Sequence, residues 1–334
     1  MSHGAMTNAP YDVTGIGNAI VDVLAEASDE FLSVNQLDKG AMMLIDAQRV
    51  VELQRKMTNT VEQSGGSAGN TMAGLASLGG KGAYIGKVKD DELGRVFATD
   101  LKKLGTRFDT PPAQTDAATG CCLIFVTPDA QRTLNTYLGA AVELGPEDVD
   151  PQLIAHSQVT YLEGYLFDPP HAREAFIKAA RIAHDAGRKV SLSLSDGFCV
   201  ARHRQAFQDL VAEHVDLLFA NETEILSLYE TSDFAEAART VRGKCELAIL
   251  TRSAKGSVVL QGSETFEVPA HAVSHVVDTT GAGDLYAAGF LWGYTRGLAP
   301  ARCASAGAIA AAEVISHFGA RPLVALKDLV EHLD

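Results

Sequence analysis

Asp278-Thr279-Thr280-Gly281-Ala282-Gly283-Asp284 is the stretch on which the reading of this chain turns. It follows a polar, β-prone run, 271–277, and opens an apolar segment of small residues, 285–294. That segment is long enough for a buried helix, although Gly289 and Gly293 disfavour a regular one. Glycines at a helix start let the backbone turn tightly and bring its N–H groups close to a ligand. A helix N-terminus also leaves donors unpaired and carries the positive end of the helix dipole. The expected result is a pocket for anionic oxygens, bordered by the carboxylate of Asp284. A carboxylate there can take a proton from a hydroxyl while the amides hold the group which that hydroxyl attacks. The plainer reading is a helix cap made by Asp278, Thr279 or Thr280. Two acids bracketing a Gly-Ala-Gly favour the functional reading, as does a second glycine-rich loop far upstream, Gln63-Ser64-Gly65-Gly66-Ser67-Ala68-Gly69-Asn70.

Outward from these loops, strand and helix alternate. Strands are expected at 11–16, 159–162, 189–194, 215–220 and 247–251, with helices at 170–186, 201–213 and 233–242. Such alternation implies an α/β fold, a mostly parallel sheet covered by helices on both faces. Ligands in such sheets bind beyond the carboxyl ends of the strands. The loops at 221–224, 251–256 and 278–284 each follow an expected strand and should meet at one edge. Two regions look non-helical: 18–45, with the turn Asp38-Lys39-Gly40, and a hairpin of strands 118–127 and 132–138 about Pro128-Asp129-Ala130-Gln131.

Composition narrows the function. The chain has 334 residues, 46% hydrophobic and 21% charged, enough for a large core. A net charge of −14 without a Lys/Arg cluster argues against nucleic acid and membrane surfaces as partners. An acidic protein that holds a polyphosphate must rely on backbone dipoles, a few cations and bridging Mg²⁺. Met1-Ser2-His3-Gly4-Ala5-Met6 shows no signal-peptide pattern and looks like an expression remnant. Five scattered cysteines without a C-x-x-C fit a reducing cytoplasm. The ten histidines show no zinc-binding spacing.

No P-loop is present, and Gly15-Ile16-Gly17-Asn18 lacks the third glycine of a dinucleotide motif. Phosphoryl transfer, which needs alignment and charge neutralisation, fits the loops better. Asp284 accepts the proton, and the amides of Gly281, Ala282 and Gly283 hold the phosphoryl group. Asn221 and Glu224, three apart, present oxygens that can hold Mg²⁺ through water, or simply cap a helix.

The loops 65–70, 221–224 and 278–284, in this order, resemble the ribokinase-like (PfkB) kinases over nearly the whole chain. The resemblance implies an αβα sandwich with a small β lid, the lid from 18–47 and 113–138 and the core from 1–17, 48–112 and 139–334. It implies ATP and Mg²⁺, with Asn221, Thr251, Ser253, Gly256, Gly281 and Gly283 along the ATP phosphates. Ser253 stands where the family usually has glycine. Asn18, Asp22, Gly65, Gly66 and Asn70 would grip substrate hydroxyls, and Arg132 would neutralise phosphate charge. Asp278, Thr280 and Gly319 resemble a monovalent-cation site, with Leu323 where members often carry Ser, which leaves K⁺ dependence open.

Gly17-Asn18-Ala19-Ile20-Val21-Asp22, the 65–70 loop and the run 132–141 are similar to the adenosine kinase branch. That likeness implies phosphorylation of a primary hydroxyl of adenosine, giving AMP. Leu138, Tyr165, Leu166 and Phe167 are candidate walls for the base, or plain core. A sugar kinase (ribose, fructose or 2-keto-3-deoxygluconate) and a non-catalytic nucleoside-binding protein are the alternatives. A monomer and a homodimer are both compatible with the sequence.

Overall fold

The structure, a computed structural model, describes residues 9–129 and 131–333. The leading stretch read as a remnant, and Ala130 of the expected turn, lie outside the described residues. The chain opens with β1 (Tyr11–Ile16), β2 (Ile20–Glu26), α1 (Asp29–Val34), β3 (Met42–Leu44), α2 (Ala47–Gln54), β4 (Val61–Gly65) and α3 (Ser67–Ser77). Next come β5 (Gly82–Ile85), α4 (Glu92–Lys103), β6 (Arg107–Phe108), β7 (Gly120–Val126) and β8 (Arg132–Tyr137). Strand and helix then alternate through α5 (Pro151–Ala155), β9 (Ser157–Glu163), α6 (Pro170–Asp185), β10 (Lys189–Ser193), α7 (Gly197–Arg202) and α8 (Arg204–His214). They continue through β11 (Leu217–Asn221), α9 (Glu222–Tyr229), α10 (Phe234–Val241) and β12 (Leu247–Thr251). A hairpin, β13 (Ser257–Gln261) and β14 (Glu264–Val268), precedes α11 (Ala282–Thr295), α12 (Pro300–Val314) and α13 (Leu326–Val330).

Nine strands form one sheet in the order β14-β13-β12-β11-β10-β9-β1-β5-β6. Its pairs are parallel from β6 to β12 and antiparallel where the hairpin β13–β14 adds to β12. Burial on both faces explains the continuous apolar runs. In β11, Leu217 and Phe219 join the cluster that holds Met72 of α3, Phe290 of α11 and Ile309 of α12. Leu218 and Ala220 enter the opposite cluster with Phe176 of α6, Phe207 of α8 and Leu228 of α9. Each such Leu or Phe contributes about 1.5–3 kcal/mol by leaving water. The result is the three-layer α/β sandwich expected.

A smaller sheet has the order β3-β8-β7-β2-β4. Cys121, Leu123 and Phe125 of β7 pack into the main core. Their alternates Cys122 and Ile124 form a thin apolar layer with Ile20.

Four local expectations are corrected. Val61–Gly65, placed by sequence in the core segment 48–112, pairs antiparallel with β2 in the small sheet. Residues 29–34 are helical, within the 18–45 region expected to be non-helical. The Ser28 hydroxyl accepts from the Phe31 N–H at 3.1 Å, and Leu32 is buried. The helix expected at 201–213 is two helices, since Asp196 caps an earlier one by accepting from Cys199 N at 2.9 Å. The segment after Asp284 is a regular helix despite its glycines. At Gly289 a side chain would meet the Ala306 carbonyl at 2.5 Å, so glycine there lets α12 pack against α11.

Candidate active site

A cavity of about 880 Å³ lies over the carboxyl ends of the parallel strands. Glu163 ends β9, Ser193 β10, Asn221 β11 and Thr251 β12, and all four line it. The N-termini of α3 and α11 supply Gly66, Ser67, Gly281, Ala282, Gly283 and Asp284. The small sheet covers it with Ile20, Cys122, Ile124, Leu134 and Thr136. The convergence of these loops follows from the parallel topology, which sends each strand's outgoing loop to the same edge.

Asp284 sits in the first turn of α11. Its carboxylate accepts from the Ser67 hydroxyl at 2.6 Å and from Asn70 Nδ2 at 3.0 Å. Removal from water raises its pKa to about 6, against the pull of those two donors and of the Arg321 charge. Gly281 caps the helix in the left-handed region, φ 79°, and a Cβ there would lie 2.7 Å from that of Ala320. No other residue type fits that turn without strain. The Ala282 N–H, expected to face an anion, donates instead to the Thr279 carbonyl at 3.2 Å in this conformation.

Burial also raises three other carboxyls that line the cavity. Burial raises Asp22 to about 6, with Arg321 and then Arg132 opposing. Burial raises Glu163 to about 7, although it accepts from the Ala68 N–H at 2.8 Å and from Asn18 N and Nδ2 at 3.2 and 2.8 Å. Asn18 and Asn70 thus spend their amide groups inside the protein. The Oδ1 of each is buried without a hydrogen-bond partner among the described residues. A buried acceptor left so costs about 1–3 kcal/mol, which a donor on a ligand would recover. Glu224 is likewise raised to about 7 by burial. It closes a capping box with Asn221: its carboxylate accepts from Asn221 N at 2.8 Å and Nδ2 at 2.6 Å, and Glu224 N donates to Asn221 Oδ1 at 2.9 Å.

The structure brings most of the expected site residues together. Asn18, Asp22, Gly66, Asn70, Leu138, Tyr165, Asn221, Glu224, Thr251, Thr280, Gly281, Ala282, Gly283 and Asp284 all line the cavity. Gly65 lies behind Asp22, whose carboxyl carbon would be 2.5 Å from a Cβ there. Ser253 and Gly256 belong to a tight turn after β12 and are not among the lining residues. Leu166 and Phe167 are core, not walls: both are buried, and Phe167 stacks on Phe207 at 4.0 Å between ring centroids.

Arg132, buried on β8, pairs with Asp278 at 3.2 Å. Asp278 Oδ1 also accepts from Thr280 N at 2.9 Å and Oγ1 at 2.6 Å, and Oδ2 from Gly319 N at 3.0 Å. Every oxygen of Asp278 is therefore engaged, with a guanidinium against it. The side chain does not fit a bound K⁺, which like charge would repel.

Among the described residues no group of three or more His, Cys, Asp or Glu could hold a metal. Asn221 and Glu224 line the cavity, with their polar groups spent on one another in the capping box. Sequence reasoning missed Ser67 and Glu163, which line the cavity, and Arg321 behind it. Ser67 lay inside the quoted loop, and Glu163 is an acid ending an apolar strand, both usable signals. No helix among the described residues is long and apolar enough to cross a membrane.

With this geometry in place, the likeness to known proteins is informative. The model for the pfkB family of carbohydrate kinases matches residues 39–326. The crystal structure of adenosine kinase from Sinorhizobium meliloti is 52% identical, covers 98% of this chain and 100% of its own, and superposes with a TM-score of 0.89. A probable sugar kinase protein from Rhizobium etli CFN 42 is 49% identical over 97% of this chain and 98% of that one, also with a TM-score of 0.89. Adenosine kinase of Saccharomyces cerevisiae is 28% identical over 84% of this chain and 88% of its own.

Proposed function

Because the chain belongs to the pfkB family of carbohydrate kinases, we propose that it phosphorylates the primary hydroxyl of adenosine, yielding AMP and ADP from ATP. It is a phosphotransferase with an alcohol group as acceptor. One observation carries the substrate reading. The cavity has a polar floor with unpaired acceptors and an apolar roof. Asp22 and the free Oδ1 atoms of Asn18 and Asn70 suit the hydroxyls of a ribose. Ile20, Ile124, Leu134 and Leu138 suit a flat base. A sugar alone would leave that roof uncovered.

The transfer then follows from the residues. Asp284 takes the proton of the primary hydroxyl, whose oxygen attacks the γ-phosphorus as the bond to the ADP oxygen breaks. Ser67 and Asn70 hold the carboxylate in place. The amides of Gly281 and Gly283, at the N-terminus of α11, stabilise charge on the moving group, joined by that of Ala282 once it releases the Thr279 carbonyl. Arg132, bound to Asp278, adds positive charge beside that loop. Mg²⁺ would neutralise phosphate charge beside Asn221 and Glu224. The small sheet acts as a lid that closes and excludes water. A cytoplasmic setting suits the five free cysteines.

Turnover of ATP with adenosine, ribose, fructose and 2-keto-3-deoxygluconate tests the substrate. Adenosine is expected to give the highest kcat/KM, and preference for any free sugar would contradict the reading. Leu134→Asn should raise KM for adenosine about tenfold with kcat little changed, because a polar group replaces apolar surface under the base. Since Asp278 is saturated, replacing K⁺ by tetramethylammonium should change turnover by less than about twofold. Strong, specific activation by K⁺ would show that the Arg132 pair gives way.

A further inference from the structure

Arg321 lies on the loop after α12, between Gly319 and Leu323 and far in sequence from the glycine loop 65–70, yet its guanidinium reaches the back of the site. Nη1 donates to the Gly69 carbonyl at 3.2 Å. Nη2 donates to the Ser64 carbonyl and, at 2.7 Å, to the Ser64 hydroxyl. Ser64 in turn donates from N and Oγ to Asp100 of α4, at 3.0 and 2.5 Å. Ser64 and Gly69 flank the turn that carries Ser67, and Asn70 follows directly. Ser67 and Asn70 are the two donors to Asp284.

We propose that Arg321 is a positioning residue: by clamping the carbonyls on either side of the glycine loop, it fixes Ser67 and Asn70 and through them the orientation of the Asp284 carboxylate. The planar fork of arginine can bridge two carbonyls at once, and a lysine ammonium cannot hold that geometry. A loop that drifts by about 1 Å would misplace the base enough to cost about 10²-fold in rate. The charge acts in the same direction, since Arg321 opposes the burial that raises Asp284 and Asp22. This inference rests on Asp284 being the base.

The test compares Arg321→Met, Arg321→Lys and Ser64→Ala with wild type for kcat, KM and thermal melting, and for amide hydrogen exchange across residues 64–70. Arg321→Met should lower kcat about 10²-fold while KM for ATP moves far less, and loop exchange should quicken. Arg321→Lys should recover only part of the loss. Full recovery by lysine would show that charge alone matters and overturn the clamp, as would an unchanged kcat in Arg321→Met. If Arg321→Met does not fold, Ser64→Ala, which removes one contact of the clamp, should shift kcat and loop exchange the same way by a smaller factor. No shift there overturns the proposal. Failure of wild type to phosphorylate adenosine would instead count against the substrate reading. The clamp would then be judged on loop exchange and on whichever alcohol the wild type does phosphorylate.

Discussion

Asp284→Asn should lower kcat for phosphoryl transfer to adenosine by about 10²–10⁴-fold, the usual contribution of a placed general base. The side chain keeps its size, and an amide can still meet the Ser67 hydroxyl and the Asn70 amide group that now hold the carboxylate. Nucleoside binding, measured by calorimetry, should change little, because the loss falls on the transition state. Residual turnover would come from the glycine amides and alignment alone. The pH profile gives a second reading of the same residue. A base must be ionised to accept a proton, and burial has raised Asp284 to about 6. For wild type, kcat/KM should therefore fall as pH drops below about 6, since this parameter reports the free enzyme. Asp22 titrates in the same window. The fall should therefore persist in Asp22→Asn, at lower overall activity. Turnover by Asp284→Asn equal to wild type would remove the base assignment.

Asp22→Asn should make the ligand-free protein more stable at pH 8 and bind adenosine more weakly. Asp22 faces the cavity from β2, close against Gly65, with its pKa raised by burial to about 6. A carboxyl whose folded pKa lies above its unfolded one binds its proton more tightly in the folded state. Its stabilising share is present below about pH 4 and is lost as pH rises through about 6. At pH 8 the buried charge is a cost of order 1–3 kcal/mol, which the neutral amide avoids. Melting should accordingly rise by a few degrees at pH 8, by about half as much at pH 5 and hardly at all below about pH 4, so that a scan from below pH 4 to pH 8 reads the difference. Function should move the other way. Losing a charged acceptor for a sugar hydroxyl costs about 1.5–3 kcal/mol, or about 10–100-fold in Kd. A melting gain that is the same at both ends of that scan would show that the charge of Asp22 carries no such cost.

The loop 278–284 was readable because its chemistry is local: two glycines and an acid at a helix start need no partner to be recognised. The parallel sheet was readable for a related reason, since strands buried on both faces stay apolar at every position, as Leu217 to Ala220 do. What escaped was long-range. Arg321 looks like an ordinary surface arginine until the fold brings it to Ser64 and Gly69. Leu166 and Phe167 sit next to Tyr165, but only Tyr165 turns to the cavity. A short 3₁₀ turn rotates the other two into the core behind it. Helix 29–34 was missed although Ser28, Asp29 and Glu30 mark its start, because it is short and lies in a region that otherwise reads as non-helical. Of the two readings left open for Asn221 and Glu224, the structure shows the helix cap, on a wall of the cavity.

A crystal structure of the protein with adenosine and a non-hydrolysable ATP analogue tests the central claim most directly. The account predicts the 5′-oxygen of adenosine within about 2.6–3.2 Å of an Asp284 carboxylate oxygen, with the terminal phosphoryl against the amides of Gly281 to Gly283. A complex in which Asp284 keeps only its bonds to Ser67 and Asn70, while the hydroxyl faces another base, would contradict it.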